Sequence, residues 1–329
     1  MHRSTLTLIT ITAVVVVIAL VLRDTSAGTP TEPTTALVTD QSSSTTSILE
    51  TTTTALPAGI AICDLYMDIV PSGIVASPDL VEASGLAASR VASGVLWSHN
   101  DSRGAATVYA FTTTGEDLGT FDIPGALALD WEDISAGPGP EGAGFYLYVG
   151  DIGDNFGIRG GLVTVYRVPD ADPADLDGEF GRSTPFTYRY PEGSYNSEAL
   201  FIDPVEPALY LVTKDRDEAL VFRGSLEPSD GPADLEIVSR LFLGAEVSGA
   251  DMSPDGTTLV LRGYETVWMW HRDTEVSVSD MLQSEPCEAP SPDERQGEAI
   301  TFDRDLAYWT VSEGSNSPIQ VAVRAVAGN

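Results

Sequence analysis

Five times between residues 82 and 314 the chain repeats one unit: a small or acidic pair, a short apolar run, a turn, and a second aromatic-rich run ending in polar residues. The copies read "EASGLAAS" then "VLWSHNDS", "DWEDISA" then "FYLYVGDIGDN", "SEALFIDP" then "LYLVTKDRD", "GADMSPDG" then "LVLRGYE", and "GEAITFD" then "AYWTVSEG". The apolar residue after the acid marks the register at Leu86, Ile134, Leu200, Met252 and Ile300, with intervals of 48, 66, 52 and 48 residues. The longest interval holds the acidic insertion "PDADPADLDGEFGR". Third runs follow, such as "TVYAFTTTG" and "TVWMWHRD", and weaker fourth runs such as "LGTFDIPG". A period near 40 to 50 residues with about four strands per unit is the signature of an all-β propeller. The spacing predicts five four-stranded blades. A sixth or seventh blade would lack strands, and two sandwich domains, the competing architecture, would not share one register.

The fifth copy has only 29 residues after Ile300, too few for a fourth strand. The segment "GIAICDLYMDIV", before the first copy, alternates like a strand and has no blade of its own. It is expected to close the ring as the outer strand of the last blade, which also removes an exposed sheet edge. Upstream, "LTLITITAVVVVIALVL" from Leu6 to Leu22 is long enough to span a bilayer, so residues 1–27 read as a transmembrane anchor, or as a signal peptide cleaved near Thr25 and Ala27. Residues 28–57, rich in Thr, Ser and Pro, read as a disordered stalk, and residues 58–329 as the propeller. The expected location is the extracellular face of the membrane, or the medium if the leader is cleaved. Export permits a Cys63–Cys287 disulfide pinning the closing strand near the last blades, the alternative being two buried thiols.

A formal net charge of -32, from 49 acids against 17 bases, argues against nucleic-acid binding. Most of these acids are expected to form a solvated surface. Those at the repeat are different. In a propeller blade the first strand lines the axis and the second returns to the same face, so residues opening the first and ending the second meet at one mouth. Just ahead of the markers stand Ser84, Glu132 with Asp133, Glu198, Asp251 and Glu298, giving four of five blades a carboxylate near the axis. Carboxylates brought that close raise one another's pKa unless a cation intervenes. An all-oxygen donor set favours Ca²⁺ over zinc or copper. The competing reading is that these acids cap strand amides or pair with arginines.

The ends of the second strands bring a more varied set: His99, Asn100 and Asp101; Asp151, Asp154 and Asn155; Lys214; Arg262 and Tyr264; and Glu313. Lys214 is the only lysine of the chain, and with Arg262 it suits an anionic ligand. Asp101 and Glu313 are the candidate carboxylates for activating water. The Asp and Asn residues among them could instead be turn formers, and Lys214 or Arg262 could simply pair with a neighbouring acid. The tryptophans at 97, 131, 268, 270 and 309 suit packing between blades better than a sugar platform. No nucleophile elbow, phosphate-binding loop or zinc-protease motif is present.

Taken together, "EASGLAAS", "LWSHNDS", "DWEDIS", "YVGDIGDN", "LYLVTKD", "GADMSPDG", "LVLRGYE" and "QGEAI" resemble a family of exported actinobacterial β-propeller proteins of unassigned function. That resemblance implies a propeller outside the cytoplasm and supplies no activity; where Arg-Thr-Tyr would be expected, this chain has Arg262, Gly263 and Tyr264. The chain is more loosely similar to the five-bladed calcium-dependent apyrases, through Glu132, Glu198 and Glu298, and in general style to phytase-like propellers. Ser84 and Ala250 depart from the apyrase pattern. The expectation is a monomeric, membrane-anchored propeller with calcium in its mouth, binding a small anionic ligand and hydrolysing a phosphoester or phosphoanhydride bond. A non-catalytic sensor or adhesion module for a cell-envelope glycan, peptide or protein is the alternative, and a glycoside hydrolase a weaker one.

Overall fold

The computed structural model describes residue 56 and residues 59–325, apart from 102, 103 and 295. The leader and, except for residue 56, the stalk lie outside the described residues. Strand β1 (Tyr66–Ile74) comes first in the chain and closes the last blade. Blade one is β2 (Ala83–Ala88), β3 (Val95–Asn100), β4 (Thr107–Thr112) and β5 (Asp117–Asp122). Blade two is β6 (Trp131–Pro138), β7 (Phe145–Asp151), β8 (Leu162–Pro169) and β9 (Thr184–Arg189). Blade three contains β10 (Ser197–Asp203), β11 (Ala208–Thr213) and β12 (Ala219–Ser225); a short strand, β13 (Ala233–Asp234), then crosses to pair parallel with β9 before β14 (Glu236–Leu241) completes the blade. Blade four is β15 (Gly249–Met252), β16 (Thr258–Arg262), β17 (Val267–His271) and β18 (Cys287–Ala289). Blade five is β19 (Gly297–Phe302), β20 (Tyr308–Ser312), β21 (Pro318–Arg324) and β1, the antiparallel pairing β1–β21 closing the ring.

The first strands β2, β6, β10, β15 and β19 stand side by side around the axis. They are buried on both faces, whereas outer strands such as β5 and β9 alternate between buried and exposed residues. The apolar core forms five layers, one per pair of neighbouring blades. Trp97, Phe121, Trp131 and Leu147 fill the layer between blades one and two. Tyr148, Phe186, Leu211 and Phe222 fill the next, and Phe201, Leu259, Trp268 and Trp270 the third. Tyr66, Met269, Phe302 and Tyr308 lie between blades four and five, and Leu86, Phe111 and Val311 between five and one, with Trp309 against them. Each layer removes several large side chains from water, at about 1.5–3 kcal/mol each.

The closing segment begins later than its alternation suggests, because Ile62–Leu65 forms a 3₁₀ turn whose Asp64 carboxylate accepts the Ala61 amide at 2.9 Å. Cys63 in that turn is bonded to Cys287 of β18, with the Cα atoms 6.0 Å apart and a sequence separation of 224. The bond therefore ties the closing strand of blade five to the outer strand of blade four.

Candidate acid site at the axial mouth

Pairing register puts the start of each first strand beside the end of the second: Ala83 with Asn100, Trp131 with Asp151, Ser197 with Thr213, Gly249 with Arg262, Gly297 with Ser312. All ten positions lie at the same end of their blades. In four blades the ladder slips here. The irregularities fall between Ala83 and Leu86, Trp131 and Asp133, Ser197 and Ala199, and Gly297 and Ala299, so Glu132, Glu198 and Glu298 are each the extra residue of a β-bulge. A bulge re-aims its side chain and interrupts pairing, which is why bulges gather beside functional sites.

The six axial candidates lie at different depths. Glu132, Glu198 and Glu298 are buried at the mouth. Asp133 lies deeper, accepting from the Ile134 amide (2.8 Å), the Leu200 amide (2.8 Å) and the Ala250 amide (3.2 Å). Asp251 lies deeper still, held by Ser135 Oγ (3.1 Å), Thr301 Oγ1 (2.9 Å), the Phe302 amide (2.8 Å) and Arg90 (3.4 Å). These two acids tie first strands to one another across the axis, the capping role that was the competing reading of the repeat. Ser84 Oγ donates to the Glu132 carbonyl at 2.7 Å.

Among residues ending the second strands, Asp101, Lys214, Tyr264 and Glu313 stand at the glutamates. Lys214 donates to Glu198 Oε2 at 2.7 Å and lies 5.3 Å from the Tyr264 ring centroid. Burial alone would lower the Lys214 pKa, but the charge of Glu198 and the Tyr264 hydroxyl more than reverse this and hold it protonated. Asn196 donates to the other oxygen of Glu198 at 2.8 Å. Burial, then the adjoining Glu313 with which it shares a hydrogen bond, pushes Glu298 up to about 9.

Other candidates are spent on local structure. Asn100 accepts the Val81 and Glu82 amides, each at 2.9 Å. Asp151 pairs with Arg159, Asp154 accepts the Ile158 amide at 2.8 Å, and Asn155 accepts from Asn196 at 3.2 Å. His99 is fully buried against Trp131, bonded through Nδ1 to the Asn100 carbonyl, and burial lowers its pKa to about 4. Arg262, expected beside Lys214, is instead fully buried: it pairs with Glu294 and donates to the Ala299 carbonyl at 3.0 Å. It passes over Gly297, where a Cβ would occupy the place of the guanidinium.

Asp130, the first acid of "DWEDIS", was not among the candidate metal ligands. It precedes Glu132 by two residues, on the same face of the chain, and its amide donates to Asp151 Oδ1 at 2.9 Å. One carboxylate oxygen from each of Asp101, Asp130 and Glu132 lies within 4.8 Å of the others. Glu132 is 3% exposed and its Oε1 has no hydrogen-bond partner. Burial first, then Glu198, Asp101 and Asp130, raise its pKa well above the usual carboxylate range, against the opposing charge of Lys214. The mouth thus gathers six carboxylates and one ammonium, a setting that attracts cations and admits an anion only in their company.

No protein-family model matches the sequence, and no curated protein matches it. Among solved structures, a chain of the mitotic checkpoint complex aligns at 13% identity and TM-score 0.37, covering 72% of this chain and 61% of that one. A second, described as the extracellular domain of a hybrid two-component system from B. thetaiotaomicron, aligns at 14% identity and TM-score 0.34, covering 73% and 27%. This chain therefore spans less than two thirds of either. Likenesses this distant carry no functional argument, and the five-bladed assignment rests on the strand order itself.

Proposed function

We propose that the protein is an exported propeller whose mouth holds a hard divalent cation and, through it, a small anionic ligand whose phosphoester or phosphoanhydride bond it hydrolyses. The observation that carries this reading is Glu132: a buried carboxylate with an unpartnered oxygen, set among like charges, either takes up a proton or meets a cation. The oxygen-only donors fit Ca²⁺. When bound, the cation would supply Lewis-acid stabilisation of phosphoryl oxygens.

The chain's own residues divide the remaining work. Lys214, kept charged by Glu198, offers a point charge to an anionic group. Glu298, kept protonated by burial and Glu313, is suited to give a proton to a leaving oxygen, and Glu313 to take one from water. Two carboxyls sharing a hydrogen bond are closer than the roughly 5 Å or more required of a glycosidase pair, so these residues do not favour glycoside hydrolysis. The disulfide supports an oxidising compartment.

A second reading, recognition without turnover, is favoured by Leu127, Leu129, Phe156 and Ile158, all more than half exposed on the blade-two loops flanking Asp130. The full-length chain should bind calcium and cleave nucleotides or model phosphoesters, with both lost on chelation. Saturable calcium-dependent binding without product would leave only the recognition module, and neither metal nor ligand binding would overturn both readings.

A further inference from the structure

The repeat leads to the expectation of one ion on the axis, ligated by successive blades. We propose instead that the cation site is off the axis, on the wall between blades one and two, with Asp101, Asp130 and Glu132 as its protein ligands. This deepens the cation-mouth reading and rests on it.

The axial set offers little to an ion. Glu198 gives one oxygen to Lys214 and the other to Asn196. Glu298 shares a hydrogen bond with Glu313. Asp133 and Asp251 serve the amides and hydroxyls of neighbouring strands, and Ser84 donates to a carbonyl. Glu132 alone among the six presents a buried oxygen without a hydrogen-bond partner. That oxygen belongs to the off-axis trio.

Two oxygens each about 2.4 Å from one Ca²⁺ can lie at most about 4.8 Å apart, and the three ligand oxygens here fall within 4.8 Å of one another. The backbone is shaped for this gathering. The Asp101 amide donates to the Glu82 carbonyl at 2.8 Å, fixing blade one. The Gly153 amide donates to the Asp130 carbonyl at 3.2 Å, folding the loop after β7 over the acids. A Cβ on Gly153 would collide with Glu132 Oε1 and come within 2.6 Å of Asp130 Oδ2, so only glycine lets both carboxylates occupy this corner. Three protein ligands leave coordination positions for water or a ligand oxygen. Lys214 and the Glu298–Glu313 pair, which do not belong to the trio, would meet the rest of that ligand.

Calcium alone is titrated calorimetrically into the full-length chain and four variants, each checked for folding by its melting temperature. One site per chain is expected in the unaltered protein. Asp130→Asn and Glu132→Gln should each weaken it about tenfold or more, as should Gly153→Ala by separating two ligands. Glu298→Gln should retain it within about threefold, since its carboxyl is no ligand. In chelator Glu132→Gln should melt no lower than the unaltered chain, because a neutral amide brings no charge into this buried corner; calcium should then no longer raise its melting temperature. Loss of affinity in Glu298→Gln with affinity kept in Asp130→Asn would overturn the off-axis site and leave a calcium-binding mouth standing. No calcium binding by the unaltered chain would overturn both.

Discussion

Glu298 shows how one residue at the mouth links burial to proton uptake. Its ordinary value is 4.5, and burial with Glu313 alongside pushes it up to about 9. Between those values the folded chain keeps a proton that the unfolded chain has released. The stability this provides is complete below about pH 4.5 and is lost as the pH rises through 9, at no more than about 1.4 kcal/mol per pH unit. The melting temperature in chelator should therefore fall from pH 5 to pH 9, and Glu298→Gln, which keeps the hydrogen-bonding shape without the proton, should flatten the fall. Parallel curves for the two proteins would show that Glu298 does not hold the proton. The presence of an acid at this position was legible in the recurring register; its proton was not, because the neighbour responsible, Glu313, ends a different strand.

At the scale of elements, the closing strand and the bulges differ in how much the chain reveals. The shortage of residues after Ile300 and the orphan strand upstream were enough to predict the β1–β21 closure, and the disulfide needed the further expectation of an oxidising compartment. The bulges were not legible, since a slip in pairing leaves no mark in composition. That is why one alignment placed Asp133 and Asp251 together: β6 is bulged, so Asp133 pairs with Gly150, one residue from the end of β7. Strand β15 is regular, so Asp251 pairs with Val260, two residues from the end of β16, and sits a step deeper. Arg262 misled for a related reason, because nothing marked Glu294, in the loop leading to β19, as its partner. The disulfide joins an outer strand to its neighbour, so its loss should loosen that edge before the axis. Replacing both Cys63 and Cys287 by Ala should cost about 2–4 kcal/mol. Hydrogen exchange should quicken at β1 amides such as Val70 while Leu200 of β10 stays protected. Uniform acceleration across all five blades would contradict a local clasp.

For the whole molecule, charge and closure oppose each other. The ring has no free first or last blade, so its five core layers are held together cooperatively, while a net charge of -32 pushes the chain outward. Two effects of added salt then separate by concentration. Sodium chloride screens exposed charges over a Debye length that shrinks from about 30 Å at 0.01 M to about 10 Å at 0.1 M, so it should raise the melting temperature gradually and without a plateau at low concentration. Calcium at matched ionic strength should add a saturable increment, because binding confined to the folded state stabilises it by RT ln(1 + [L]/Kd). Glu132→Gln should keep the sodium response and lose the calcium increment, since it leaves the surface charge untouched and removes one ligand. Equal responses to the two salts, in the unaltered chain and in Glu132→Gln alike, would mean that the acids of the mouth act only as part of a diffuse surface charge, and that calcium has no more specific place in this molecule than sodium.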